Sequence, residues 1–201
     1  MSQPVFDRPA DRSRGVLSEN RDWRHPLWLA LLVAASTVFS LGLACAVPLA
    51  AFAAAAALSL SRRDALLLIV LVWLANQVVG FTLLGYPWDA SKFAWGAVLG
   101  VVAILATLAG WGIAGRLANA GRAFTPAATF LAAFAVYEAT LFAVSASMLG
   151  GTEIYTLAIQ GRIFVINAAA FIGLLALHRL ASSVGLVNRS ATTLAMTERH
   201  A

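Results

Sequence analysis

Residues 27–60 run for 34 positions without one charged side chain. A helix needs about 20 apolar residues to cross the roughly 30 Å hydrocarbon core of a bilayer, so this stretch is too long for one untilted crossing and short for two. Pro48 divides it. Residues 27–47 make about 31 Å of helix, enough to cross, whereas residues 48–60 make only about 20 Å. The return arm must therefore be short, begin below the surface or thin the bilayer locally. Its stretch 50–57 is alanine throughout except for Phe52. Such small side chains let helices approach closely where lipid supplies no hydrophobic drive between them.

Four more apolar segments follow, at residues 65–84, 93–114, 125–149 and 154–178. The breaks between segments carry Arg62, Arg63 and Asp64; then Tyr86, Pro87, Asp89 and Lys92; then Arg116 and Arg122; then Gly150, Gly151 and Glu153. Hydrophobic residues make up 61% of the chain, charged residues only 11%, and the mean hydropathy is +0.82. Soluble domains carry about 25% charged residues. The sequence thus predicts an all-α integral membrane protein, a six-transmembrane-helix bundle with a short second helix and polar tails at 1–26 and 180–201.

Basic residues set the expected orientation. With two passes in 27–60, twelve arginines share one side and Lys92 stands alone on the other. With one pass the split is six against seven and the bias vanishes. Both termini are therefore expected in the cytoplasm of a multi-pass protein of the cell's inner membrane. The net charge of +5 then speaks to topology, not to nucleic acid. The first 26 residues mix acids with arginines and lack the pattern of a cleaved signal peptide. Trp23, Trp28, the His25–Pro26 pair and His178 fall at segment ends, where such residues suit the interface.

The chemistry-bearing residues are few. Cys45 is the single cysteine, so no intrachain disulfide or Cys/His metal cluster is expected, and the reading as a small apolar filler competes with a ligand role. Nucleophile–base motifs, a Walker A lysine and zinc-protease histidine spacing are all missing, so no enzyme activity, cofactor or metal is predicted. What stands out is Glu138 and Arg162, each twelve residues from Gly150 in a helical hairpin, hence level at about 18 Å from the turn. Intramembrane charges cost at least about 2.5–3.5 kcal/mol and are kept when paired, hydrated or useful. The two are expected to pair, either within a solute site or as a device that fixes helix register.

Asn76 and Gln77 share that depth, and Trp73, Asn76 or Gln77, and Gly80 make one stripe on the third helix. Tyr155 and Arg162 are seven apart, as are Glu138 and Ser145, so the polar stripes run toward the outer turns. Glu138, Arg162, Asn76, Gln77, Trp73 and Tyr155 are therefore the expected substrate-binding residues of an outward-facing polar pocket. Tyr86, Trp88, Asp89 and Glu153 stand at its mouth or in the aromatic belt. Gln160 and Asn167 lie off the Arg162 face and are expected only to bond neighbouring helices. Gly96-x-x-x-Gly100 reads as a close helix contact.

Six helices in about 200 residues, cytoplasmic ends, a short second helix, Ala30-x-x-x-Ala34 on the first and an outward polar site together resemble the substrate-binding S components of energy-coupling-factor vitamin transporters. The single cysteine invites comparison with the solitary cobalamin-transporting type of that family. The resemblance implies uptake of a vitamin-like or metal-chelate solute, and a transmembrane coupling subunit with ATPases that docks on Ala30 and Ala34. The competing class is a non-transporting accessory or assembly subunit in which the charge pair is structural.

Overall fold

The computed structural model describes residues 24–43, 47–121, 123–150 and 152–184, and among them every regular element is helical. The helices are α1 (Arg24–Leu43), α2 (Leu49–Ser59), α3 (Arg62–Thr82), α4 (Ala90–Arg116), α5 (Phe124–Val144) and α6 (Leu157–Ser183). A π-helical turn (Ser145–Leu149) prolongs α5, and a 3₁₀ turn (Thr152–Ile154) precedes α6. Four helices, α3 to α6, are long and apolar enough to cross a membrane. The chain is a helical multi-pass membrane protein. Residues 1–23, with Trp23, and residues 185–201 lie outside the described residues, as do Cys45 and Arg122, while the inner ends of both expected tails are helical, in α1 and α6.

The helix ends follow local chemistry. The Ser61 hydroxyl accepts the Asp64 N–H at 3.3 Å and donates to the Asp64 carboxylate at 2.8 Å. This reciprocal cap starts α3 at Arg62, three residues before the apolar run. Asp89 accepts the Lys92 N–H at 2.8 Å, which draws Lys92 into the first turn of α4. Thr156 caps α6 through the Ile159 N–H at 3.3 Å, so α6 begins at Leu157, not at 154. The Thr125 hydroxyl donates to the Leu117 carbonyl and so closes the end of α4, not the start of α5.

The short helix α2 is the hub. It packs on α3, α4, α5 and α6, and Phe52 meets Phe39 of α1 edge-on at 6.2 Å. Eight of its eleven residues are buried, six of them alanine. At about 16 Å it is half the thickness of a hydrocarbon core, so one of its ends lies inside the bundle. A helix start in such a place leaves backbone N–H groups with no water to bond.

Pro48, at the N-cap of α2, offers no side-chain bond. The missing acceptor comes from another helix. Asn167 of α6, 4% exposed, accepts the Ala51 N–H through its Oδ1 at 3.2 Å and anchors its own Nδ2 on the Ile163 carbonyl at 3.0 Å. Asn167 therefore caps α2 in trans. Replacing Asn167 by leucine is expected to cost about 1–2 kcal/mol, because the Ala51 N–H is left buried and unbonded. Unfolding of the purified chain in mixed micelles measures it. A loss no larger than that from replacing Thr140, which bonds only within its own helix, would dismiss the cap.

Candidate functional site

Trp73, Gln77 and Gly80 lie at i, i+4 and i+7 of α3, and the first two face α4. The Trp73 indole N–H donates to the Gly96 carbonyl at 2.7 Å. A Cβ on Gly96 would stand 2.6 Å from Gln77 Oε1, and one on Gly100 would stand 2.9 Å from Trp73 Cε2. The Gly96-x-x-x-Gly100 pair is thus a seat for these two side chains. The same logic at Gly80 seats the Tyr86 ring, at 2.6 Å from a virtual Cβ, which folds the α3–α4 turn back on α3.

Above this seat Phe81 gathers the aromatics of the turn. It stacks on Phe93 at 4.8 Å and meets Trp88 at 5.4 Å and Tyr86 at 6.2 Å. Beside the gathered rings lies a cleft of about 440 Å³, walled by Trp73, Gln77, Phe81, Trp88, Phe93 and Gly96. Trp88 is 74% exposed and Phe93 49%, so the cleft opens at the bundle surface. Its walls are apolar apart from the Gln77 amide and the Thr82 hydroxyl, and the latter already donates to the Val78 carbonyl at 2.6 Å. This cleft is therefore greasier than the polar pocket expected from the sequence. Asn76 is half-buried on α3 and is not part of its wall.

Glu138 and Arg162 are not brought together. Among the described residues no ion pair or hydrogen bond joins them: Glu138 is half-buried and Arg162 is exposed. Two features of the chain explain the correction. Gly150 and residues 152–156 are not α-helical, so the equal count from Gly150 does not give equal depth. Arg162 is five residues, or about 7.5 Å, into α6, whereas between Glu138 and Gly150 the chain runs through six residues of α5, about 9 Å, and then the five of the π-helical turn. The second feature is rotation. Asn167, Ala170, Phe171 and Leu174 are the buried face of α6, and Arg162 sits about 140° around the helix from Asn167.

Glu138 keeps different company. One turn before it on α5, Phe134 meets Phe164 of α6 edge-on at 5.2 Å, and one turn after it Phe142 meets Tyr155 edge-on at 5.0 Å. By helical spacing Glu138 shares the face of Phe134 and Phe142, the face of α5 turned to the α5–α6 groove, and lies between the two ring pairs. Tyr137, the residue before Glu138, is buried. Of the sequence-predicted residues, then, Trp73 and Gln77 belong to the α3–α4 cleft, Glu138 and Tyr155 to the α5–α6 groove, and Arg162 to neither. Ala30 and Ala34 are exposed on α1. Sequence reasoning missed Phe81 and Phe93 as cleft walls, although Phe81, Trp88 and Phe93 bracket the turn at a spacing that could have marked them.

No family model, curated protein or solved structure matches this chain.

A double-mutant cycle tests the separation of the charges. The stability changes of Glu138→Gln and Arg162→Gln are expected to add within about 0.5 kcal/mol in the double variant, as for groups without a shared partner. A larger coupling would restore the ion pair.

Proposed function

We propose that this chain is the solute-binding subunit of an uptake system, and that it takes a vitamin-sized, ring-bearing and largely apolar solute into the α3–α4 cleft. The observation that carries this reading is the cleft itself. Its 440 Å³ or so falls within the roughly 300–1,000 Å³ of small-molecule sites, and it has their make-up of apolar and aromatic walls with one oriented amide. Trp88 and Phe93 give flat faces for a ring system, and Gln77, braced against Gly96, offers a donor and an acceptor.

In this reading six helices lie in the membrane with both termini cytoplasmic, α2 returning as a short buried arm. The twelve-to-one partition of basic side chains supports it. So does Arg62, whose guanidinium lies 5.7 Å from the Trp111 ring centre, joining the start of α3 to the last turns of α4 at the arginine-rich end. The cleft then faces the outside, and the exposed Ala30 and Ala34 leave a smooth strip on α1 for a coupling subunit with ATPases.

Quenching of tryptophan fluorescence by a panel of ring-bearing vitamins and their metal chelates, followed by uptake in cells lacking their own importer, tests the function. A bound solute should lose about 1 kcal/mol, or roughly fivefold in affinity, in Trp88→Ala. Equal displacement by any lipid tail would make the cleft a lipid seat. Orientation is checked separately: a cysteine placed at Ser91 should label from outside intact cells, and one at Asn119 should not.

A second reading is favoured by Arg162, a charge on an otherwise apolar exposed face of α6 that includes Val165, Ala169 and Ile172. In that reading the chain is an accessory membrane subunit and α6 meets a partner. Loss of a co-purifying membrane protein in Arg162→Leu, with no solute bound by the parent chain, would favour it.

A further inference from the structure

Glu138 is a carboxylate inside a membrane-crossing helix, and nothing among the described residues neutralises it. A charge so placed is retained when it has a ligand, a counter-charge or a pathway to serve. Its surroundings narrow the choice. Phe142 and Tyr155 form an edge-to-face corner at 5.0 Å one turn along α5. Ser145, seven residues on and so on the same helix face, is 2% exposed, yet its hydroxyl has no hydrogen-bond partner. Ser145 also opens the π-helical turn, a distortion that often accompanies ligand sites.

A carboxylate beside aromatic faces is the recognition chemistry of an organic ammonium. The ring quadrupoles attract the diffuse positive charge and the carboxylate supplies the formal counter-charge. A metal ion fits less well, because no three His, Cys, Asp or Glu side chains converge among the described residues and ring faces offer no lone pairs. We propose that the α5–α6 groove at Glu138 binds an organic ammonium group, with Glu138 as counter-ion and the Phe142 and Tyr155 rings as its walls. Ser145 supplies an oxygen to the polar part of the same ligand. The site is separate from the α3–α4 cleft and does not depend on the uptake reading.

Choline and its neutral isostere 3,3-dimethylbutan-1-ol have the same shape and differ in charge, so they isolate the recognition. Binding to the full chain in detergent is read as a saturable rise in the unfolding midpoint. Choline is expected to raise it and the isostere not. Glu138→Gln, which removes only the charge, should weaken choline roughly tenfold or more, and Tyr155→Ala should weaken it severalfold. Equal effects of choline and the isostere would overturn the inference, as would unchanged choline binding in Glu138→Gln. Sodium chloride that stabilises the chain through Glu138 where choline does not would overturn it in favour of an alkali ion. Loss of folding in Tyr155→Ala leaves the decision with Glu138→Gln and the isostere. If choline fails while the cleft still quenches with a vitamin, this inference falls and the uptake proposal stands.

Discussion

One hydrogen bond, from the Ala51 N–H to the Asn167 side-chain oxygen, governs much of this molecule. A helix that starts inside an apolar bundle must find acceptors for its first N–H groups, because neither water nor lipid will bond them. Proline at the N-cap of α2 cannot help, and Asn167 reaches across from α6 to bond Ala51. That contact fixes the height of α2 against α6 and the rotation of α6 about its axis. Once Asn167 faces the hub, Ala170, Phe171 and Leu174 follow it inward, and Arg162 is turned outward. The fate of the most conspicuous charge in the sequence is thus decided by an uncharged residue five positions away.

That dependence marks the limit of what could be read from the residues alone. The helical membrane character, the short second helix and the breaks near Ser61, Pro87 and Gly150 are carried by hydropathy, proline and charge, and they stand in the fold. A stripe of Trp73, an amide at 76 or 77, and Gly80 was legible from helical periodicity, and so was the close approach at Gly96 and Gly100; that Gln77 and not Asn76 walls the cleft was not. What could not be read is which amide of α6 faces inward, because Gln160, Arg162 and Asn167 all carry polar atoms and periodicity alone ranks none of them. The depth of Arg162 was illegible for another reason. Counting residues converts to height only where the backbone is α-helical, and residues 145–149 and 152–156 are not.

The two candidate binding regions differ in how they are built. The α3–α4 cleft is made by absence: glycines at 96 and 100 admit an indole and an amide, and the rings of Phe81, Trp88 and Phe93 arch over what remains. The α5–α6 groove is made by a charge that its neighbours leave uncompensated. An apolar cleft selects by shape and area, whereas a half-buried carboxylate selects by sign, and nothing in the packing requires the two to serve the same molecule.

The alanine hub gives the bundle an unusual tolerance profile. In most cores the damaging change is a truncation, since lost methylenes leave a cavity behind. Around α2 there is almost nothing to remove, for Ala50, Ala51, Ala53, Ala54 and Ala57 are each fully enclosed with a single methyl group apiece. Harm here comes from growth. One added branch on any of these residues would have to be housed by moving a whole neighbouring helix, because the side chain it displaces has no room to yield. Mutational intolerance should therefore rise with the volume added, with hydrophobicity giving no protection: leucine, the residue a membrane core accepts most readily elsewhere, would be among the least acceptable at the centre of this one.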